Sequence, residues 1–197
     1  MRLLIATHNH GKVREYRQLL YGLPHQLLSL DDVGIVDDVP ETGHTYAENA
    51  LLKARAYAQQ SGLLTLADDS GLEVDALNGA PGVRSARYAG DHANDAGRVQ
   101  YLLRRLRDVP LAQRTARFRC VIALVWPEGR EELMEGTCEG IIVEEPRGSR
   151  GFGYDPIFLV ASDSRTMAEL SADEKNRISH RAHAAAKARA CLAEPRG

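Results

Sequence analysis

The chain has 197 residues, with 25 Lys and Arg residues against 27 Asp and Glu residues and a formal charge of −2. Proteins that bind nucleic acid polymers through their phosphates, or that bind membrane surfaces, usually carry a basic excess, so neither class is expected here. The hydrophobic content of 44% is typical of an ordinary globular domain that needs no disulfide or structural metal to fold.

Cysteine spacing and the N-terminal segment indicate the cellular setting. Cys120, Cys138 and Cys191 are far apart and form no C-x-x-C pair, which predicts buried thiols and excludes a disulfide framework or a thiolate zinc site. The apolar run at residues 3–6 is too short for a signal-peptide core or a membrane span. We therefore expect a cytosolic protein.

In the first half of the chain, hydrophobic spacing and turn residues predict strands that alternate with helices. Thr45 and Glu48 have the capping-box spacing that begins a helix, and Gly62 follows as a stop. The predicted elements are a strand at 3–6, a helix at 13–20, a helix at 45–60, a strand at 63–67 and an extended segment at 72–74.

The second half of the chain alternates in the same way. An almost uninterrupted apolar run at 118–126 predicts a strand that is buried on both faces. The predicted elements are a helix at 94–107, strands at 118–126 and 131–143, a turn-rich segment at 144–156, a short strand at 157–160 and an alanine-rich helix that ends near residue 193. This order favours a single α/β domain over residues 1–197, and the inserted loops would fit two lobes around a cleft.

The loop at residues 7–12 lies between a predicted strand and a predicted helix. Free backbone N–H groups and the helix dipole favour an anion there, Gly11 permits close approach, and Lys12 adds positive charge. Ala6 and Val13 stand where a Walker A loop requires Gly and Ser or Thr, so that motif is excluded. The alternative is a plain strand–helix connection in which Asn9 caps the helix.

Two adjacent carboxylates, Asp68 and Asp69, follow an apolar strand, where α/β sheets often carry catalytic groups. Neighbouring residues of a strand point to opposite faces, so one of the two is expected to enter a given cleft. Glu41, near the start of the second helix, could supply a further oxygen ligand for Mg²⁺. The alternative is an Asx-type turn that uses both aspartates for backbone hydrogen bonds.

The loop at residues 151–156 places Phe152 and Tyr154 between glycines, beside Asp155. Aromatic faces suit a flat base, since stacking contributes about 1–3 kcal/mol per base, and a carboxylate can accept hydrogen bonds from a base edge. The alternative is a hydrophobic loop that folds back onto the core.

Near the C-terminus, Ser171 and Glu174 form a second capping-box pattern, and Lys175, His180 and Arg181 follow. On one unbroken helix Lys175 and Arg181 would not share a face, but a break near Ser179 would start a new helix with His180 and Arg181 in its first turn. The alternative is a solvated charged face.

Taken in order, these motifs closely resemble those of the inosine triphosphate pyrophosphatase family. The matching segments span nearly the whole chain: Thr-x-Asn-x-Gly-Lys at 7–12, Glu-Thr-Gly at 41–43, Ala-Asp-Asp-Ser-Gly at 67–71, Gly-Phe-Gly-Tyr-Asp-Pro at 151–156 and Lys-x-x-x-Ser-His-Arg at 175–181. The resemblance implies an elongated mixed β-sheet with flanking helices, two lobes around a central nucleotide-binding cleft, and a homodimer. It also implies hydrolysis of ITP, dITP and XTP to the monophosphate and pyrophosphate.

The resemblance further implies a role for each motif. Asp69 is expected to act as the general base, and Glu41 and Asp69 to bind Mg²⁺. His8 departs from the small residue found in many members, which concerns the packing of the loop alone. The expected substrate-binding residues are Thr7, His8, Asn9, His10, Gly11, Lys12, Ser70, Phe152, Gly153, Tyr154, Asp155, Lys175, His180 and Arg181.

Three other functions are compatible with the same residues. A pyrophosphatase for another modified nucleotide would keep the site, and a non-enzymatic nucleotide sensor would have no need for paired acidic residues. A phosphatase would release single phosphates from the nucleotide.

Overall fold

The computed structural model describes residues 1–193, which form six β-strands and five α-helices. The predicted α/β class is confirmed. The elements in chain order are β1 (Arg2–Ile5), α1 (His10–Leu19), β2 (Gln26–Ser29), α2 (Tyr46–Ser61), β3 (Leu64–Val74), α3 (Asp95–Arg105), β4 (Thr115–Val125), β5 (Glu131–Ile142), β6 (Phe158–Val160), α4 (Ala172–Ile178) and α5 (His180–Ala193).

All six strands belong to one mixed sheet, in the order β2-β1-β3-β4-β5-β6. Strand β1 pairs in parallel with β2 and with β3, and β5 pairs antiparallel with β6. Parallel neighbours require crossover connections, and α1 and α2 lie in the connections that follow β1 and β2. The short strand β2, which the sequence analysis missed, forms one edge of the sheet.

The chain divides into two compact units, each with its own hydrophobic core. Within the described residues, the first unit comprises residues 1–69, 120–136 and 181–193, and the second comprises residues 70–119 and 137–180. In the first unit, side chains of α1 and α5 pack on β1 and the adjoining strands, with Tyr16 and Leu66 fully buried. In the second unit, side chains of α3 pack with those of β5 and β6 around Phe158.

Strand β3 differs from its predicted form. It runs without interruption from Leu64 to Val74, so Asp68 and Asp69 lie within the strand and not at its end. The Asx-type turn is therefore wrong, because the backbone of both residues belongs to the sheet. Apolar residues on both sides, Leu66 and Leu72, are fully buried and hold the acidic pair in the interior.

The predicted helix starts are confirmed where a side chain caps them. The Thr45 hydroxyl accepts a hydrogen bond from the backbone N–H of Glu48, and the Glu48 carboxylate accepts one from that of Thr45. Ser171 and Glu174 form the same box at the start of α4. Ser179 is extended and separates α4 from α5, as the spacing of Lys175 and Arg181 predicted.

Two further findings concern the cysteine residues and possible membrane spans. Cys120 and Cys138 are buried, Cys191 is partly exposed, and all three are free thiols. Within residues 1–193, no helix is both long and apolar enough to cross a membrane.

Candidate active site

The loop before α1 is organised by Asn9. Its side-chain oxygen accepts hydrogen bonds from the backbone N–H groups of Gly11 at 2.8 Å and Lys12 at 3.1 Å. The backbone N–H of Asn9 donates to the Thr7 hydroxyl at 3.2 Å. Asn9 is thus the N-cap of α1, as the alternative interpretation proposed. Two of the backbone donors expected to face an anion are used by this cap. The exposed ring of His8 turns to the side, with Nε2 3.1 Å from the carbonyl oxygen of Asp37.

Asp68 lies at the centre of a buried ionic cluster in the first unit. The Lys12 ammonium is 3.0 Å from Oδ2 of Asp68, and the Arg181 guanidinium is 3.3 Å from the same oxygen. Arg181 also pairs with Glu15 at 2.7 Å. Burial alone would raise the pKa of Asp68, but the charges of Lys12, Arg181 and Lys53 outweigh it and hold that pKa well below its ordinary value. Asp68 is therefore an ionised partner that orients Lys12.

Asp69 has a different environment from its neighbour. One carboxylate oxygen accepts a hydrogen bond from the side-chain amide of Asn49 at 3.0 Å. Burial raises the pKa of Asp69 and the charge of Glu41 adds to the rise, while Lys53, Lys12 and Asn49 oppose it. A raised pKa brings a carboxylate closer to the range in which it can exchange protons near neutral pH. Of the two aspartates, Asp69 is the one suited to act as a general base.

Asn49 is itself fixed by the backbone of the preceding loop. Its side-chain oxygen accepts a hydrogen bond from the N–H of Gly43 at 2.8 Å. A Cβ atom on Gly43 would lie 2.6 Å from Cβ of Glu48 and 2.7 Å from Oδ1 of Asn49, so only glycine permits this approach. The loop that carries Glu41 is thereby held against the start of α2.

Lys53 connects the acidic residues of the first unit. Its ammonium is buried and pairs with the Glu41 carboxylate. Burial would lower the pKa of Lys53, but the charges of Glu41, Asp68 and Asp69 raise it above its ordinary value, so the side chain stays protonated. Asn49 and Lys53 are one helical turn apart on α2 and were not predicted as site residues. Two polar side chains at i and i+4 within the alanine stripe of α2 were the signal that could have identified them.

The acidic residues of the first unit fit a magnesium ion that arrives with a nucleotide. The charge of Glu41 raises the pKa of Asp69, and Lys53 interacts with both carboxylates, so the two belong to one electrostatic cluster. Across the described residues 1–193, no group of three or more His, Cys, Asp and Glu side chains is arranged to hold a metal by itself. Mg²⁺ commonly takes one or two carboxylates and fills its other positions with substrate phosphates and water, which this pair allows.

In the second unit, the loop at residues 151–155 (here the aromatic loop) is held by Asp155 and Lys175. Both side chains are buried, and the Lys175 ammonium is 2.6 Å from Oδ2 of Asp155. The same oxygen accepts a hydrogen bond from the backbone N–H of Phe152 at 3.0 Å, and the Lys175 ammonium lies 4.8 Å from the centre of the Phe152 ring. Gly151 has a φ of +77° and passes so close to the Asp155 carboxylate that a side chain would collide with it.

These contacts change the expected role of several side chains. Oδ2 of Asp155 already accepts from the Phe152 N–H and the Lys175 ammonium. Tyr154 belongs to the core, and its hydroxyl donates a hydrogen bond to the carbonyl of Ser85 at 3.0 Å. Phe152 remains partly exposed. His180 is buried against Phe118, with ring centres 4.7 Å apart. The interpretation of Lys175, His180 and Arg181 as a solvated charged face is wrong, because all three side chains are buried. Ser70, partly buried in β3, follows Asp69 directly.

Comparison with known proteins shows which family the chain resembles along its length. A model of the Ham1 family matches residues 3–191. The dITP/XTP pyrophosphatase of Bacillus subtilis strain 168 is 50% identical over 184 residues, or 93% of each chain. The dITP/XTP pyrophosphatase of Symbiobacterium thermophilum is 54% identical over 186 residues, which are 94% of this chain and 92% of that protein.

A solved structure of a HAM1 protein from Coxiella burnetii has the same fold. It matches with a TM-score of 0.90 and 46% identity and covers 99% of this chain and 100% of that one. The family predicted from the sequence motifs is confirmed by a family model, by curated relatives and by a structure, each over nearly the full length. The chain belongs to the Ham1 family.

Proposed function

We propose that this protein hydrolyses non-standard purine nucleoside triphosphates, such as ITP, dITP and XTP, to the monophosphate and pyrophosphate. One observation carries the proposal: Asp69, a buried carboxylate whose pKa is raised by burial and by the charge of Glu41, lies in the same unit as Lys12. The names of the relatives, dITP/XTP pyrophosphatase, support the same reaction.

In this proposal, Asp69 accepts a proton from the water that attacks the α-phosphorus. The hydrogen bond from Asn49 fixes the orientation of the Asp69 carboxylate, which receives the proton. The bond between the α-phosphorus and the bridging oxygen then breaks, and pyrophosphate leaves with the electron pair. A fixed base and an oriented water lower the entropic part of the barrier.

The triphosphate end is assigned to the loop at residues 7–12 and to Lys12. Negative charge grows on the leaving pyrophosphate, and a lysine that is already held in place stabilises it without rearrangement. Asp68 supplies that orientation through its 3.0 Å contact with Lys12. The exposed side chain of His10, in the first turn of α1, is assigned to the outer phosphates.

The base end is assigned to the aromatic loop, and Ser70, Lys175, His180 and Arg181 are assigned to the rest of the nucleotide site, as the family resemblance implies. Phe152, the partly exposed ring of the loop, is proposed to stack on the purine. A pocket that hydrogen-bonds a 6-oxo group would leave a buried polar group unpaired when ATP binds, and such a mismatch can cost about 10⁴-fold in kcat/KM.

Mg²⁺ is proposed as the cofactor, held by Glu41 and Asp69 together with the substrate phosphates. When bound, it would neutralise phosphate charge and add to the positive charge that faces the leaving group. Lys53 would then balance the remaining negative charge of Glu41, with which it is paired.

A product assay on a panel of nucleoside triphosphates tests this function. With magnesium, we expect pyrophosphate release from ITP, dITP and XTP, with kcat/KM at least a hundredfold above that for ATP and GTP, and no turnover with EDTA. Release of single phosphates would indicate a phosphatase, and binding without turnover a nucleotide sensor. A preference for a modified pyrimidine would indicate the other pyrophosphatase.

The homodimer and the cytosolic location stay predictions. Light scattering coupled to size-exclusion chromatography checks the first, and localisation of a fluorescent fusion checks the second.

A further inference from the structure

The aromatic loop is fixed by a residue that none of the sequence motifs includes. The backbone N–H of Gly153 donates a hydrogen bond of 2.7 Å to Oδ2 of Asp95, a residue 58 positions earlier in the chain. Asp95 is the first residue of α3 and lies in the second unit with the loop. The contact is thus a tertiary anchor on the middle of the aromatic loop.

Asp95 does not serve as the cap of α3. That part is taken by Asn94, whose side-chain oxygen accepts a hydrogen bond from the N–H of Gly97 at 2.8 Å. One oxygen of the Asp95 carboxylate is therefore available to the loop. A residue at this position needs no acidic side chain to begin α3, although a negative charge there is favourable.

Arg98 fixes the orientation of the Asp95 carboxylate. Its guanidinium pairs with Oδ1 of Asp95, which leaves Oδ2 for Gly153. The same guanidinium donates to the carbonyl oxygens of Ala86 at 2.8 Å and Ala93 at 2.7 Å. Each oxygen of the Asp95 carboxylate thus has a partner, and Arg98 is itself held by two backbone carbonyl groups.

The remaining anchors of the loop come from its own vicinity. Tyr154 is held through the carbonyl of Ser85, and the N–H of Phe152 through Asp155. Asp95 is the contact that fixes Gly153, the residue between the two aromatic side chains. Without Asp95, the Gly153 N–H between the two aromatic residues would lose this hydrogen bond.

We propose that Asp95 is a positioning residue for base recognition: by holding the N–H of Gly153, it fixes Phe152 and its neighbours in the geometry that accepts a purine. This inference rests on the proposed function, which assigns the base to the aromatic loop. A displacement of about 1 Å in a positioning group can cost about a hundredfold in kcat/KM. The effect of losing Asp95 falls on KM and on the choice of base, because Asp69 and Lys12 belong to the other unit.

The test compares Asp95→Ala with the wild type and with Asp95→Asn in the full-length protein. In Asp95→Ala we expect exchange of the Gly153 amide, followed by NMR, to be at least tenfold faster. The Kd for IMP and the KM for ITP should both rise at least tenfold, with kcat within threefold and the Kd for pyrophosphate unchanged. Asp95→Asn keeps an acceptor oxygen and should restore part of the loss in KM.

Asp108→Ala is the matched control, because Asp108 is a highly exposed carboxylate of the same unit, with 86% of its side chain accessible, paired only at the surface with Arg107. It should leave all five quantities unchanged. An unchanged KM for ITP in a folded Asp95→Ala protein overturns the inference, and so does a fall in kcat with no change in KM. If Asp95→Ala fails to fold, Asp95→Asn is compared with the wild type instead. In that case, an amide exchange rate and a KM for ITP equal to those of the wild type overturn the inference. A wild type that hydrolyses no purine nucleotide refutes the proposed function instead, and amide exchange still reports on the anchor.

Discussion

Asp68 and Asp69 are neighbours in sequence, but their pKa values are shifted in opposite directions. Lys12 and Arg181 lie against Asp68 and hold its pKa low, whereas burial and the charge of Glu41 raise the pKa of Asp69. Alternation along β3 turns the two side chains to different partners. One carboxylate can therefore orient a lysine while the other accepts a proton.

Replacement of Asp69 by Asn should keep the fold and nucleotide binding but remove the base. We expect kcat for ITP to fall at least a thousandfold, while the Kd of a non-hydrolysable ITP analogue, measured without metal, does not rise, because the change removes a negative charge that repels the phosphates. A base must be deprotonated to act, so the raised pKa of Asp69 shifts the acidic limb of the wild-type kcat/KM profile to higher pH.

The pH profile of the Asp69→Asn protein separates catalysis from structure. That limb should be absent from its residual activity. Asp163→Asn, at a partly buried carboxylate of the second unit that pairs with Arg165, serves as the control and should keep the wild-type profile. Activity within tenfold of the wild type in Asp69→Asn would remove Asp69 from the role of base.

Replacement of Asp68 by Asn should lower stability, because it leaves Lys12 and Arg181 with one ionic partner fewer in the interior. Loss of one partner of a buried ion pair costs about 3–5 kcal/mol in the free energy of unfolding. A depressed pKa in the folded state stabilises the fold above the unfolded pKa, and the benefit is lost as the pH falls. The stability gap between wild type and variant, measured by urea unfolding, should therefore be full at pH 7 and shrink below about pH 4.

The highly exposed Asp108 offers the control for that measurement. Asp108→Asn should change the free energy of unfolding by less than about 1 kcal/mol, because exposed ion pairs contribute little. A gap for Asp68→Asn that stays constant from pH 7 to pH 3 would contradict the ionised state of Asp68.

Sequence reasoning identified residues with strong local signals and missed those whose role depends on distant partners. Asn9, Thr45 and Ser171 act on backbone atoms a few positions away, so their caps could be predicted. Asn49 and Asp95 act on residues 20 and 58 positions away. Nothing in their immediate sequence indicates those partners, which only the fold brings near.

At the scale of elements, helix α2 links stability to the site because it carries Asn49 and Lys53. Thr45→Ala removes the side-chain acceptor of its capping box and should lower the free energy of unfolding by about 1 kcal/mol. Thr45→Ser keeps the hydroxyl and should stay within about 0.5 kcal/mol of the wild type. Urea unfolding followed by circular dichroism measures both, and equal losses in the two variants would show that the cap contributes nothing.

The strands show where local patterns were insufficient. The acidic pair in β3 looks like the end of a strand, because two adjacent aspartates and a glycine usually interrupt one. Lys12, Lys53 and Arg181 stabilise Asp68 in the interior, and pairing in the sheet carries the backbone through to Val74. Tertiary charge pairing thus overrides the local preference.

At the scale of the whole molecule, a net charge of −2 conceals a cluster in which the positive side chains are already paired. Lys12 faces Asp68, Lys53 faces Glu41, and Arg181 faces Glu15. With Asp69 included, the first unit sets four carboxylates against these three cations. The cluster carries no positive excess, so lysines and arginines alone would not offset a triphosphate.

The missing positive charge makes metal removal a test of binding as well as of catalysis. We expect EDTA to weaken the Kd of a non-hydrolysable ITP analogue at least tenfold in calorimetry, because Glu41 and Asp69 then face the phosphates without a cation between them. IMP carries one phosphate instead of three, so its Kd should change less than threefold. Added Mg²⁺ should restore the binding affinity of the analogue. Glu41→Gln removes one of the repelling carboxylates and should reduce the effect of EDTA. If the analogue binds equally well with and without metal, the expectation is wrong. Lys12 and Lys53 would then leave their carboxylate partners to bind the phosphates, and Mg²⁺ would act in the chemical step alone.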